Sequence, residues 1–518
     1  MTLRKKGGAP RLTFVLATVT FLGACEREGA PAGIVAADPA FCSQVHITGA
    51  KLSEHLAPLV PLMRTSTGVY SLEEGDVSLV LRAWLAEAAE RTIDVQYFIF
   101  TADNVGLIAV DYLLRAADRG VHVRLLVDDF MLEVGGEDLL ALDAHPNIEI
   151  RLYNPTANIG KHLPTKLFNL TTDFRGFNQR MHNKAFIVDG KVAITGGRNI
   201  ADEYFDYDHE FNFRDRDVLL LGGASVEVQR SFDQFWNNPL SVPIRSLVRT
   251  TVTPDTATTY RYLHEYACDP RNFWPQVRER IKSVPVAFTR ILESGALVWS
   301  DSVTFVTDVP GKNAGTSGIG GGGVSTDELI RLIKGAQRSV TIESPYLVTT
   351  PLSQDLFREA IGRGVRVRIL TNSLASTDNL EAFSGYQRER DALLTMGVEL
   401  YEFKPDAQVR RQVMTGALRA TFDYAPTFGL HAKSMVVDDH IAVIGTFNLD
   451  PRSANLNTEC FAVIRNARIA QELRHAMDVD TQPDNAWHTK ADFNPDGAVS
   501  AGKRIKVWFR RVVPKAVL

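Results

Sequence analysis

Apolar and polar positions run through the same order twice along this chain. From Asp94, DVQYFIF reads as a strand, the stretch through Arg119-Gly120 as a helix, and VHVRLLVDD as a second strand. From Thr341, TIESPYLV, a helix through Arg363-Gly364 and VRVRIL repeat that order. NIEIRLYNP from Asn147 and GVELYEFKP from Gly397 then add a strand to each copy. Two short apolar runs follow in each, Ala185 to Val188 with Val192 to Thr195, and Ser434 to Val437 with Ile441 to Ile444. The residues between the runs, Asp189-Gly190 and Asp438-Asp439, are two-residue hairpin signals. The spacing between copies hardly drifts, from Val123 and Val367 to His182 and His431. Such a repeat argues duplication: an α/β fold of two halves, related by a pseudo-twofold axis and sharing one active site.

Each hairpin opens on the same chemistry. The first copy holds His182, Lys184, Asp189, Gly196 and Asn199; the second holds His431, Lys433, Asp438, Gly445 and Asn448. One His-x-Lys is noise in a chain with 12 histidines, whereas two copies agreeing at five positions are not. Strand alternation puts His and Lys on one face, and the returning strand brings the Asn back beside them. Asp189 and Asp438 fall in the turn, which suits a structural role better than a catalytic one. Two imidazoles, two ammonium groups and two carboxamides suit a phosphodiester. Lys184, Lys433, Asn199 and Asn448 would hold the non-bridging oxygens. One histidine, neutral, would attack phosphorus, and the other, protonated, would supply the leaving alkoxide with its proton. The lysines provide the positive charge, so no metal and no cofactor are expected. Each histidine also needs a carboxylate on its other ring nitrogen. Glu459, just before an apolar run, and Asp217 in DRDVLLLG are the candidates, with Glu210 and Asp215 as fallback in the first half.

Composition narrows the class without changing it. Of 518 residues, 45% are hydrophobic and 23% charged, enough for an ordinary globular core. A net charge of −4 leaves no overall footprint for nucleic acid, which is not expected as a partner. The chain divides into a signal segment (1–24), an N-terminal envelope segment (25–75), the first half (76–240), a bridge ending in the flexible glycine-rich stretch Lys312 to Thr326 (241–326), the second half (327–485) and a basic C-terminal tail (486–518). Arg4, Lys5, Lys6 and Arg11 precede an apolar run from Leu12 to Leu22, too short to span a bilayer, and then Leu22-Gly23-Ala24-Cys25. This resembles a bacterial lipoprotein signal, with Cys25 as the lipidated first mature residue. Glu26 after it favours a periplasm-facing place on the outer membrane. Cys42 and Cys268 are free to pair in an oxidising compartment, and Cys460 reads as a buried thiol. The C-terminal KRIKVWFRRVV mixes cations with Trp508 and Phe509, as either a membrane-surface segment or a solvated basic tail.

The motifs RMHNKAFIVDG, GGRNIADEYF, ILTNSLAS and FNLDPRSANLNTE, with those above, resemble the phospholipase D superfamily. Within it they are most similar to bacterial cardiolipin synthases of the C branch, over roughly Ile93 to Glu459. The resemblance implies two mixed sheets flanked by helices, with the site on their interface. It implies phosphatidyl transfer between phospholipids through a phosphohistidine, with His182 as nucleophile and His431 as acid and base. Phosphatidylglycerol, with phosphatidylethanolamine as a second candidate, and a membrane surface would be the partners. Gly197 stands where many relatives have Ser, and Thr446 holds that place in the second half, so the first half lacks one candidate phosphate donor. A hydrolytic phospholipase D and an envelope nuclease or phosphodiesterase remain the competing readings.

Overall fold

The computed structural model describes residues 38–46, 49, 51–132, 136–155, 179–248, 254–273, 275–281, 284–313, 320–414 and 425–518. The signal segment and Cys25 lie outside these residues. Two mixed sheets carry the fold, as the repeat requires. The first has nine strands, in the order Val298–Ser300, Thr67–Leu72, Asp217–Gly222, Val192–Gly196, Ala185–Val188, Thr92–Phe100, His122–Leu132, Ile148–Tyr153 and Ser241–Pro243. The second has eight: Val303–Thr307, Cys460–Arg465, Ile441–Gly445, Ser434–Val437, Ser339–Glu343, Arg366–Asn372, Glu399–Phe403 and Ala486–Thr489. Apart from the extra edge strand Val298–Ser300, the two orders correspond position for position.

Each half begins its sheet with a parallel crossover. Helix Asn104–Asp118 joins the parallel strands Thr92–Phe100 and His122–Leu132, and helix Pro351–Gly362 joins Ser339–Glu343 and Arg366–Asn372. Both helices start where the sequence supplies a cap. Asp103 accepts from Gly106 N–H, and Thr350 and Ser353 form a reciprocal capping box with proline in the first turn. The motif hairpins close with Asp189 at φ 52° and Gly190 at 64°, and with Asp438 at 54° and Asp439 at 58°. These are left-handed pairs whose twist matches the strands they join.

The sheets pack on each other through one apolar layer. Ile187, Ala193, Val218 and Leu220 of the first meet Val436, Ala442, Ile444 and Ala462 of the second, with Phe232 and Met477 from flanking helices. The halves are therefore sealed by a core rather than hung on a linker. Three segments depart from the sequence boundaries because each is taken up by pairing with a sheet or packing on it. Thr67–Leu72, before residue 76, is an interior strand of the first sheet. The bridge enters the first sheet at Val298–Ser300 and the second at Val303–Thr307. Beyond residue 485, Ala486–Thr489 closes the second sheet and Ala501–Arg510 forms a helix packed on the second half, so this region is folded rather than a loose tail.

The ends of the glycine-rich stretch are also fixed. Lys312 Nζ donates to Asp308 and to Ser453 O, both at 2.8 Å, Asn313 bonds Gly322 O and Asn455 O, and helix Val324–Gly335 begins within it. Only 314–319 fall outside the described residues there. A disulfide joins Cys42 in helix Pro39–Val45 to Cys268 at the end of helix Thr256–Ala267, and Cys460 is a buried thiol. Among the described residues no helix is long and apolar enough to cross a membrane.

Candidate active site

The site is built by strand pairing between halves. Phe211–Arg214 runs parallel to Thr427–Leu430, with Arg214 opposite Leu430. The next residues, Asp215 and His431, are thereby brought side by side. On the other side of the pseudo-twofold, Met181 bridges Thr458, and the next residues are His182 and Glu459. His182 Nδ1 lies 2.8 Å from Glu459 Oε2, and His431 Nδ1 lies 2.5 Å from Asp215 Oδ2. Each half thus lends its acid to the histidine of the other.

This pairing corrects the assignment of Asp217. Asp217 stands opposite Gly196, as Phe461 stands opposite Gly445, so its counterpart is Phe461 and not Glu459. Its carboxylate is taken up by Arg82 Nη2 and Ser78 Oγ, each at 2.9 Å, and by Arg198 N–H at 3.2 Å. Asp215 is the counterpart of Glu459, and the other fallback, Glu210, lines the cleft wall. Thr446 and Gly197 are corrected with it. Thr446 Oγ1 donates to Glu459 at 2.5 Å rather than facing a phosphate, and a Cβ at Gly197 would overlap the Asp215 carboxylate. Glu459 is further held by Ser453 Oγ at 2.7 Å. Ser453 lies within the conspicuous FNLDPRSANLNTE stretch, but nothing in its spacing announces a contact with Glu459.

His182, His431, Asn199 and Asn448 line one cleft of roughly 750 Å³. Asn199 accepts at Oδ1 from Ile99 N–H at 3.1 Å and its side chain is also hydrogen-bonded to Tyr204; Asn448 Oδ1 is buried with no partner among the described residues. The lysines stand behind the histidines rather than on the cleft wall. Lys184 Nζ donates to His182 O at 2.9 Å, and Lys433 Nζ to His431 O at 2.6 Å while lying 3.0 Å from both ring nitrogens of His431. The motif aspartates are at the far ends of the hairpins. Asp189 accepts from the N–H groups of Glu90, Arg91 and Thr92, and Asp438 from those of Gln337, Arg338 and Ser339. The cleft wall also takes in residues the motifs do not announce, among them Arg180, Tyr204 and the C-terminal Val513, Val517 and Leu518.

Burial dominates the electrostatics. It lowers His182 to about 4 and His431 to about 3; lysine charge adds to this, while Glu459 and Asp215 work against it. Burial also brings Lys184 down to about 7, helped by repulsion from Lys433, and Lys433 to about 8. For Glu459 and Asp215 burial acts upward, but the partner histidines and nearby lysines outweigh it and hold both carboxyls below their usual range. Both imidazoles are therefore neutral at pH 7 in the free enzyme, unlike the one-neutral, one-charged pair expected from sequence. The charge-stabilised unit is each carboxylate with its histidine, and Nδ1 is the nitrogen each ring commits to it. Nε2 of His182 is the ring nitrogen not committed to Glu459.

Comparison with known proteins agrees with this arrangement. A model of the family described as "Cardiolipin synthase, PLD-like domain" matches twice, over residues 83–236 and 329–480. Cardiolipin synthase C of Escherichia coli K12 is 33% identical over 460 residues, 85% of this chain and 90% of that protein. An uncharacterised protein of Helicobacter pylori is 33% identical over 422 residues, 80% of this chain and 79% of its own. Among solved structures, phosphatidylserine synthase of Haemophilus influenzae Rd KW20 superposes with a TM-score of 0.54 over 90% of this chain and 100% of that one, at 13% identity, a likeness of fold. With a family match on each half and both motifs meeting in one cleft, the chain belongs to the phospholipase D superfamily, as an enzyme of the cardiolipin synthase type.

Proposed function

We propose that this enzyme is a phosphatidyltransferase that forms cardiolipin from two phospholipids through a phosphohistidine on His182. The observation that carries the reading is the crossed pairing of His182 with Glu459 and His431 with Asp215 in a single cleft. Nε2 of His182 attacks phosphorus of the donor while the P–O bond to the departing glycerol breaks. Its oxygen takes a proton from His431, which takes up that proton from solvent as the phosphodiester anion enters and offsets the two ammonium charges. A glycerol hydroxyl of the acceptor, phosphatidylglycerol, then returns its proton to His431 and attacks phosphorus, and His182 leaves neutral. Asp215 and Glu459 steady whichever ring carries positive charge. Asn199 and Asn448 on the cleft wall stabilise the non-bridging oxygens in both steps, and Lys184 and Lys433 add positive charge from behind the histidines. His182 is favoured as nucleophile because Lys184 touches only its carbonyl, whereas Lys433 lies 3.0 Å from Nε2 of His431.

The cleft wall argues against nucleic acid. Glu203, Asp208, Glu210, Asp378, Glu381 and Asp450 all line it, against the two cations Arg180 and Arg452. A polyanion threaded past such a rim meets repulsion where nucleic-acid clefts supply cations. The Cys42–Cys268 disulfide supports an oxidising envelope compartment, consistent with a lipoprotein anchored through Cys25. The test is purified enzyme with labelled phosphatidylglycerol, with and without phosphatidylethanolamine, followed by lipid analysis. Labelled cardiolipin is the expected product. Phosphatidic acid alone would make the enzyme a hydrolytic phospholipase D, and cleavage of DNA with no lipid product would overturn the reading.

A further inference from the structure

Helix Ala501–Arg510 is amphipathic in the wrong sense for a helix that only packs on its own protein. Its inward face is anchored: Val507 is buried in the core of the second half, Lys503 Nζ reaches Ala375 O, and Arg510 pairs with Glu381 at 3.2 Å. The opposite face carries Ile505, Trp508 and Phe509, spaced i, i+3, i+4, at 56%, 59% and 61% exposure, and Val512 in the turn that follows is 80% exposed. Such a run of large apolar groups on the outer side marks a surface that meets something. Exposed Arg504, Lys506 and Arg511 flank it, and no acidic residue follows Asp496 in the chain. A stripe of aliphatic and aromatic side chains edged by cations matches the headgroup boundary of an anionic bilayer, where rings sit at the interface and cations meet lipid phosphates.

The helix also has a fixed relation to the active site. Immediately after it, Val513, Val517 and Leu518 form part of the cleft wall, and the chain end is pinned by Arg452, whose guanidinium donates to Val517 O at 3.3 Å and whose backbone N–H donates to Leu518 O at 3.2 Å. We propose that the outer face of this helix docks the enzyme on an anionic phospholipid surface and sets the cleft mouth against it, independently of any acyl anchor. The inference rests on the reading that the substrate is a membrane phospholipid.

The experiment uses the full chain carrying Cys25→Ser, sedimented with vesicles of phosphatidylglycerol and phosphatidylethanolamine or of phosphatidylcholine alone. Ile505→Ser/Trp508→Ser/Phe509→Ser is expected to weaken binding to the anionic vesicles by roughly tenfold or more, and Arg504→Gln/Lys506→Gln to remove the preference for them over phosphatidylcholine. Turnover of a short-chain, monomeric phosphatidylglycerol should stay at the parent rate in both variants, which shows that they fold and that the cleft is intact. Brominated phosphatidylglycerol should quench tryptophan emission in the parent, and Trp508→Phe should lose that quenching while still binding. Binding by the serine variant within about twofold of the parent, or quenching that survives Trp508→Phe, would overturn the proposal. Absence of phospholipid turnover in every form would instead overturn the proposed function, because the vesicle measurements decide docking without it.

Discussion

Asp215 and Asp217 are two residues apart and do unrelated work, which makes them the sharpest pair to separate. Asp215→Asn keeps the shape of the group on His431 Nδ1 but removes the charge that stabilises the imidazolium, so kcat is expected to fall about 10²–10⁴-fold with little change in melting temperature. Asp217→Asn leaves Arg82 and Arg198 short of a buried counter-charge, at a cost of about 3 kcal/mol, and should lower the melting temperature while the folded fraction turns over normally. Steady-state kinetics beside thermal melts distinguishes the two; the reverse pattern would restore Asp217 to the site. The pH dependence of kcat/KM follows from the free enzyme. Protonation of His182 below about 4 removes the nucleophile, and because His431, lowered to about 3, must take up its proton as substrate binds, kcat/KM falls with rising pH beyond that limb. Loss of ammonium charge from Lys184 at about 7 and Lys433 at about 8 makes the fall steeper above neutrality. An alkaline limb absent up to pH 10 would contradict the role given to the lysines. At this scale the histidines, lysines and asparagines are legible in the sequence because each set lies within one hairpin. The acids are less so, since each arrives from the opposite half. The one usable signal is that the spacing from Val123 to Val367 also separates Asp215 from Glu459.

The hairpins, the crossover helices and the central strands are legible because they carry their own periodicity, caps and turn residues. Thr67–Leu72, Val298–Ser300 and Ala486–Thr489 are not, since short edge and joining strands are selected by the partner they find rather than by their own pattern. The turn aspartates show what an element needs from a motif residue. Asp189 ties its hairpin to the loop before Thr92–Phe100 through three N–H groups, so Asp189→Asn is expected to cost about 1–2 kcal/mol in stability and leave kcat near the parent value. A well-folded but inactive variant would show that the aspartate acts in the chemistry. The disulfide clamps the N-terminal helix Pro39–Val45 to helix Thr256–Ala267 and closes a loop with a sequence separation of 226. Reduction should destabilise the fold by about 2–4 kcal/mol, read as a lower melting temperature in dithiothreitol, with activity retained at 25 °C. An unchanged melt would mean that the clamp adds nothing to the native state.

At the scale of the whole molecule, the two sheets share one apolar layer and the two motifs share one pair of carboxylates, so neither half holds a complete site. A single active site per chain, with unlike roles for two nearly equivalent histidines, is the central claim. It is tested most directly by rapidly quenching the enzyme during turnover of phosphatidylglycerol and locating the covalent adduct by peptide mass spectrometry. The expected result is one phosphatidyl group per chain, on His182, absent from His182→Asn and discharged into cardiolipin when fresh phosphatidylglycerol is added to the parent enzyme. An adduct on His431, adducts on both histidines, or steady turnover with no adduct at all would contradict it.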